Sequence, residues 1–219
     1  YVTLAAFCRE TGRTHSWSDG AAQIDGKGLD LDAPFEEPYV WSNQRALYVS
    51  EGVQVGNGGS VLPLRVLADA SGAQLTWDWD TETAALNTEG ATAPQASYDS
   101  EDLYWLSRII SAESRGEPLL GQIAVGNVVL NRVQSSEFPD TIQEVIFDTQ
   151  YGIQFTPVAN GTIYQEPTTS AVLAAKLCLE GTNVAGDSLY FFAPAVSVGS
   201  WIAQNRTYYT SIGNHHFYQ

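Results

Sequence analysis

The chain has 219 residues, 44% of them hydrophobic, which suits one large domain or two small ones with a buried core. Its formal net charge of −15 runs along the whole length: residues 1–96 carry five Lys/Arg against thirteen Asp/Glu, and residues 97–219 carry five against twelve. No basic patch stands out, so nucleic acid is not an expected partner, and no apolar run reaches the ~18 residues of a membrane span, so no membrane insertion is expected.

A polymeric ligand would have to be held by stacking and hydrogen bonding, for which six Trp, eleven Tyr and eight Phe are available. Most of the acidic residues are expected simply to keep the surface soluble. The absence of Met is expected of a processed or truncated form whose targeting segment is gone. Cys8 and Cys178, far apart in sequence, suggest neither a disulfide framework nor a zinc site and are expected to be small buried residues.

The first half contains an internal repeat. Val2-Thr-Leu4-Ala-Ala-Phe7 recurs as Leu62-Pro-Leu64-Arg-Val-Leu67, and at the same offset Gly12 matches Gly72 and Trp17 matches Trp77. Each copy predicts a short helix, a helix-ending Gly and a strand carrying the Trp. Gly56-Asn57-Gly58-Gly59 predicts a turn ahead of the second copy. Trp17, Trp77 and Trp79 are expected in a core, although exposed tryptophans there would suit sugar. The segment Asn87–Asp99 is small, polar and aperiodic and reads as a linker. The expected organisation is therefore a duplicated domain over 1–90, a linker over 91–99 and a second domain over 100–219. On Tyr1-Val-Thr-Leu4, Gly12, Ser16-Trp17-Ser18-Asp19 and Val61-Leu-Pro-Leu-Arg65, Gly72-Ala73, Trp77-Asp78, the first domain resembles the copper amine oxidase N-terminal-like stalk domains. The resemblance implies an accessory, non-catalytic module of a secreted wall enzyme. A lone imidazole there, His15, is too few for a copper site.

The second half starts helical. Ser100 is a candidate cap for a helix whose apolar stripe runs Leu103, Leu106, Ile110. Glu113 is the next position on that stripe, just before Gly116 and Pro118 end the helix. There it is drawn out of water at the negative end of the helix dipole, and both effects raise its pKa. A carboxyl of that kind suits general-acid cleavage of a glycosidic bond. An ion pair with Arg108 or Arg115 is the structural alternative. Pro118 opens a second helix with the stripe Leu119, Ile123, Gly126, Leu130, Val133, in which small residues permit close approach. Thr141 with Glu144 makes a capping box for a short helix ending near Phe147. Thr169–Glu180 predicts another helix, closed by Gly181. Leu189–Phe192, Trp201-Ile202 and Tyr208-Tyr209 read as short strands and aromatic loops.

Five blocks in order then resemble the SleB/CwlJ-type cell-wall hydrolases: Ile110–Pro118, Gly121–Val133, Gln154–Val158 with Asn160-Gly161 and Ile163-Tyr164, Leu189–Pro194, and Ile212–Phe217. The resemblance covers about residues 101–219. It implies an α+β protein whose C-terminal domain is mainly helical, like lysozymes and lytic transglycosylases, with a short β region beside the small α+β N-terminal domain. It implies cleavage of peptidoglycan glycan strands between N-acetylmuramic acid and N-acetylglucosamine, in the wall or spore cortex outside a bacterial cell, with no cofactor and no metal. The family's catalytic Glu falls on Glu113, which would protonate the glycosidic oxygen and then deprotonate the muramic C6 hydroxyl to give 1,6-anhydro ends.

Hydrolysis, the alternative, needs a second carboxylate. Glu117, Asp148 and Glu166 are candidates, none within a block that resembles a second acid. Gln154 and Phe155 are expected to hydrogen-bond and stack in the glycan groove, or Gln154 to pin its own loop. Tyr190 and Phe192 share one face of a strand, so one row would line the cleft and the other the core. His215 is expected either to orient the acid or to be a satisfied structural histidine. Position 193, where the family usually carries Asn, is Ala193.

Zinc amidase chemistry lacks ligands here, because His215 and His216 point to opposite strand faces. Cys178 sits at the wrong helix end for a nucleophile, and no Gly-x-Ser-x-Gly elbow is present. A non-catalytic peptidoglycan-binding protein is the remaining alternative.

Overall fold

A computed structural model describes every residue except 57, 58, 151 and 196–199. The chain forms two compact units, Tyr1–Ser97 and Tyr98–Gln219.

In the first unit, β1 (Val2–Thr3) leads into α1 (Leu4–Thr11), capped by the Thr3 hydroxyl, which accepts from the Ala6 N–H. Gly12 ends the helix in the left-handed region, and Gly72 does the same after α2 (Leu64–Ser71), with φ of 67° and 69°. Each helix is followed by a strand carrying its Trp: β2 (Thr14–Ser18) and, past the strands between, β9 (Gln74–Asp78). The repeat expected from sequence is thus a repeat of local structure. What the repeat did not disclose is the chain between. β2 opens an antiparallel meander with β3 (Ala21–Gly26), β4 (Leu29–Pro34), β5 (Tyr39–Ser42) and β6 (Arg45–Tyr48). β7 (Gln54–Gly56) and β8 (Gly59–Leu62) pair with each other and β8 with β1. The turn expected at Gly56–Gly59 falls on residues 57 and 58, outside the described residues. Among the described residues β9 pairs with β10 (Thr83–Asn87) alone.

The core of this unit gathers Leu4 and Phe7 from α1, Ile24 and Leu31 from the meander, and Leu62 and Leu67 around α2. The tryptophans expected in it are outside. Trp17 and Trp77 are about half exposed and Trp79 is 84% exposed, edge-to-face with Trp77 at 5.9 Å. The β9–β10 hairpin packs on this unit at its base, through Leu86 and the contact of α2 with β9, while Trp77 and Trp79 lie at its turn end, beyond that packing. Residues 92–96, expected as linker, pack against this unit. Ala93 is buried in its core, Asn43 donates to the Pro94 carbonyl at 3.2 Å, and the Ala96 N–H donates to the Asn43 carbonyl.

In the second unit, α3 (Ser100–Ser114) is capped by Asp99, whose carboxylate accepts from the Glu101 and Asp102 N–H groups at 2.8 and 3.1 Å. Ser100, the expected cap, is instead the first helical residue. Asp99 has the extended backbone and the longer acceptor reach that a cap needs. α4 (Leu119–Gln134) begins after Pro118, and α5 (Ile142–Phe147) carries the expected capping box, the Glu144 N–H donating to the Thr141 hydroxyl at 3.2 Å. Then come α6 (Thr156–Asn160), a 3-10 turn over Thr162–Tyr164, and α7 (Thr169–Leu179). α3, α4 and α7 pack together as the helical core. β11 (Tyr190–Phe192), β12 (Tyr208–Ile212) and β13 (His215–Tyr218) form a small sheet in the order β11-β13-β12. Trp201 and Ile202, expected in a strand or loop, lie in α8 (Ser200–Asn205), where the Asn205 amide donates to the Trp201 carbonyl.

Gly126 sets the approach of the three core helices. A Cβ there would stand 2.8 Å from both Cys178 Sγ of α7 and Ile110 Cδ1 of α3, too close for either. Gly126→Ala is expected to destabilise this unit by about 1–3 kcal/mol, less any gain in helix propensity, which urea denaturation would measure. Cys178 Sγ donates to the Ile123 carbonyl, and burial pushes its thiol pKa far up. Cys8 is equally buried in the first unit, and both cysteines are free.

Candidate active site

The last turn of α3 delivers Glu113 to a cavity of about 300 Å³ bounded by α3 and the Thr156–Gln165 segment. The helix stripe explains the placement: Leu106 and Ile110 are fully buried, and Glu113 continues their row to where α3 meets solvent. Burial raises its carboxyl to about 7, against the opposing positive charge of Arg132. Neither arginine named as a structural partner from sequence takes that part. Arg108 pairs with Glu166 at 2.8 Å and lies 3.8 Å over the Tyr104 ring, while Arg115, exposed at the end of α3, lines the same cavity. Among the described residues lining the cavity, Glu113 is the one carboxylate.

The candidate second carboxylates are placed elsewhere. Glu117 bridges to the β12–β13 turn: Asn214 donates to it from its backbone N–H at 2.8 Å and from its side chain at 3.0 Å. Burial pushes the Glu117 carboxyl up, but these bonds and His215 outweigh it and hold the group below its ordinary value. Glu166 has 88% of its side chain in solvent. Asp148 ends α5 and accepts from the Gln150 N–H.

The other residues named from sequence divide. Gln154 donates to the Gly152 carbonyl at 3.1 Å and so pins its own loop. Phe155 is only 2% exposed and offers no open stacking face; its ring lies 5.2 Å under the Arg132 guanidinium. Tyr190 also faces Arg132, at 5.5 Å, and accepts a 2.7 Å hydrogen bond from Arg206. On the same row of the sheet, Phe192 stacks on Tyr218, while Phe191 of the opposite row packs with Phe217 in the core. His215 is buried with Nδ1 at 3.9 Å from Glu117, so its partner is the bridging carboxylate rather than Glu113. Burial lowers its pKa and Glu117 opposes this.

Sequence reasoning missed Arg132, which ties the two sides of this region together. Its Nε donates to the Leu189 carbonyl at 2.8 Å, and the rings of Phe138, Phe155 and Tyr190 surround it. Burial lowers it to about 10, with Tyr190, Asp148 and Glu113 pulling upward. One and five residues earlier on α4, Asn131 and Asn127 bind the carbonyls of Gly186, Ser188 and Thr182. Polar side chains inside an otherwise apolar helix were the available signal: they are buried there because they satisfy the loop that leads to β11. Thr156, Asn160 and Gln165 of the cavity wall were also missed; Thr156 and Asn160 fall in the blocks that resemble the family, but nothing local marks them as wall. Among the described residues no group of three or more His, Cys, Asp or Glu converges as a metal centre would require, and no helix is long and apolar enough to cross a membrane.

Fold and site together define a lysozyme-like α+β domain with a desolvated carboxyl at a polar cavity. Residues 116–218 match the Cell Wall Hydrolase family model, and the chain belongs to that family. It is 37% identical over 138 residues to a spore cortex-lytic enzyme of Halalkalibacterium halodurans, covering 63% of this chain and 41% of the relative. It is 31% identical over 128 residues to the cell wall hydrolase CwlJ of Bacillus subtilis, covering 55% of this chain and 86% of that one. Among solved structures it is similar to the catalytic domain of the germination-specific lytic transglycosylase SleB from Bacillus anthracis, with 38% identity and a TM-score of 0.52 over 57% of this chain and all of that domain. The chain spans about half the length of the spore cortex-lytic enzymes that it matches.

Proposed function

We propose that this protein cleaves peptidoglycan glycan strands between N-acetylmuramic acid and N-acetylglucosamine as a lytic transglycosylase, with Glu113 as acid and then base. The carrying observation is the Glu113 carboxyl, raised to about 7 at the wall of a polar cavity. A group with that pKa is protonated in half the molecules near neutrality, and gives up and regains a proton at similar cost. Glu113 protonates the glycosidic oxygen, the bond to C1 of the muramic acid breaks, and the sugar takes on oxocarbenium character. The Glu113 carboxylate then accepts the proton of the C6 hydroxyl as O6 closes on C1. The acid is regenerated, the product ends in a 1,6-anhydro ring, and no water is consumed.

Hydrolysis would call on a second carboxylate some 5–9.5 Å from the first to activate water or form a covalent intermediate. Glu117, the nearest candidate in sequence, has both oxygens engaged by Asn214. The solved relative described as a lytic transglycosylase supports the same outcome. The sites of action are then the bacterial wall or spore cortex, outside the cell, and residues 1–90 act as an accessory module of the copper amine oxidase stalk type. Mass spectrometry of digested sacculi and cortex is expected to show muropeptides ending in 1,6-anhydromuramic acid. Reducing muramic ends would instead establish a hydrolase, and no products from either material would leave a binding protein.

A further inference from the structure

A cavity of about 490 Å³ lies in the first unit, where β2 meets α1 and the β7–β8 hairpin. Its floor is apolar, with Leu4 of α1 and Ala22 of β3 both belonging to the core. Trp17 also lines it and is about half exposed, on an edge strand exposed along its whole length. The residue opposite Trp17 across the β2–β3 pair is Ala22, too small to cover an indole. The second copy of the repeat does the same, since Trp77, also half exposed, faces Ala84 of β10. Both copies thus set an indole opposite an alanine, and Trp17 has a cavity beside it. The polar groups of that cavity are uncommitted. Ser60 of β8 is 9% exposed and shares a strand face with its partner Val55, yet among the described residues its hydroxyl has no hydrogen bond. A buried hydroxyl in that condition is costly unless a ligand or water supplies a partner. His15, two residues before Trp17 and on the same face, is exposed, and its imidazole is likewise unpaired among the described residues. No Lys or Arg is among the described lining residues.

We propose that this cavity is a sugar subsite, in which Trp17 stacks on an N-acetylglucosamine residue of a glycan strand while Ser60 and His15 hydrogen-bond its polar groups. The polymer is taken from the glycan-cleaving reading above, on which that part of the inference rests; the sugar is chosen by the cavity. A pyranose ring has a C–H face for an indole and a hydroxyl edge for side-chain donors and acceptors, and the cavity is of a size that takes small ligands. Charge narrows the choice further. Residues 1–96 carry thirteen Asp/Glu against five Lys/Arg, so an anionic ligand is repelled and finds no cation in the described lining. That disfavours a muramic residue with an ionised arm and any phosphate-bearing polymer. The N-acetylglucosamine residues alternating with it are uncharged. Their acetamido group adds a methyl for the apolar floor, and an N–H and a carbonyl for the hydroxyl and the imidazole. One stacked ring is a weak contact, but carried in the same chain as the second unit it prolongs residence on the polymer.

The test exploits the histidines. His15 is in the first unit, whereas His215 and His216 are in the second, so the ring signal of His15 in an isotope-labelled chain reports on this cavity alone. The full chain carrying Glu113→Gln is titrated with N-acetylglucosamine oligomers and with cello-oligosaccharides of the same length, which lack the acetamido group. The first are expected to move the His15 signal saturably, and the second to bind about tenfold more weakly, the value of one good contact. Trp17→Ala should raise Kd at this signal about tenfold or more, Trp17→Tyr should raise it less, and Trp79→Ala, at an exposed indole outside the cavity, should leave it unchanged. A His15 signal that stays still at millimolar oligomer overturns the subsite. So does one that saturates alike in Trp17→Ala, or alike with cello-oligosaccharide. Should Trp17→Ala fail to fold by circular dichroism, Trp17→Tyr and the comparison of the two oligomers still decide. Muropeptides released from sacculi by the native protein, with no movement at His15, leave the cleavage reading standing and sink the subsite alone. Movement at His15 without muropeptides keeps the subsite and sinks the cleavage reading.

Discussion

Glu113→Gln is expected to lower cleavage of sacculi by about 10²–10⁴-fold, the usual contribution of a positioned general acid, while leaving the circular dichroism spectrum unchanged. The same variant has a second readout that does not depend on substrate. Burial raises the Glu113 carboxyl from 4.5 to about 7 in the folded chain. Below the unfolded value both states hold the proton, and the group has no effect on stability. As pH rises from about 4.5 to 7 the unfolded chain releases its proton first, so native stability is progressively lost, and above about 7 the loss is complete. At ~1.4 kcal/mol per unit this amounts to about 3 kcal/mol as an upper figure. Glu113→Gln removes the titration, so it should match the native protein at pH 4 and exceed it at pH 8 in urea denaturation. For turnover the protonated form is the acid, so kcat/KM of the native protein should fall as pH passes about 7. A variant equally stable to native at both pH values would show that Glu113 is not desolvated, and would remove the physical basis for its role.

Gly213→Ala is expected to be the most damaging small substitution in the second unit, at about 2–4 kcal/mol. Two costs combine at this residue. Its φ of 59° lies in the left-handed region, which Ala occupies at a cost of about 1 kcal/mol. In addition, its new Cβ would fall on the Glu117 carboxylate, with Pro118 Cδ also close at 3.2 Å. The carboxylate would have to shift on Asn214, forfeiting one of its two charge-assisted bonds at about 1.5–3 kcal/mol. Glu117→Gln tests the second cost alone, since it keeps the shape and loses the charge. Because the folded state holds the Glu117 carboxyl below its ordinary value, that bridge stabilises above the unfolded pKa and is lost as pH falls through the folded one. The native protein should therefore gain over Glu117→Gln between pH 3 and 6. If Gly213→Ala melts with the native protein, the bridge between the α3–α4 turn and the β12–β13 turn contributes nothing to stability.

The parts of this molecule that were legible in the sequence are those governed by local rules. The stripe Leu106, Ile110, Glu113 follows from helical period, Gly12 and Gly72 from the need for a left-handed residue, and Thr141 with Glu144 from capping. The parts that were not legible depend on what lies across space. Trp77 and Trp79 are apolar enough for a core, but their place at the turn end of the hairpin, beyond the packed Leu86, leaves them in water. Phe155 sits in a loop block that reads as groove, yet Arg132 draws its ring inward. His215 stands two residues from the core Phe217 and close in sequence to no acid, and only the folded turn brings it to Glu117. The strands β3 to β6 are six residues or fewer, and their register comes from pairing with one another rather than from any local signal. The family resemblance assigns the acid to Glu113, which lies on the cavity wall, but the wall itself, from Arg108 to Gln165, is assembled from two distant segments and has no linear signature.

The two free cysteines have a practical consequence. Each unit contains one, Cys8 in the first and Cys178 in the second, and neither thiol reaches solvent in the folded chain. Their pKa values are raised by burial, so thiolate is scarce as well as hidden. An alkylating reagent can modify either sulfur only when its own unit opens. Peptide-resolved labelling is therefore a pair of built-in clocks, one per unit, that time each opening separately without any engineered probe.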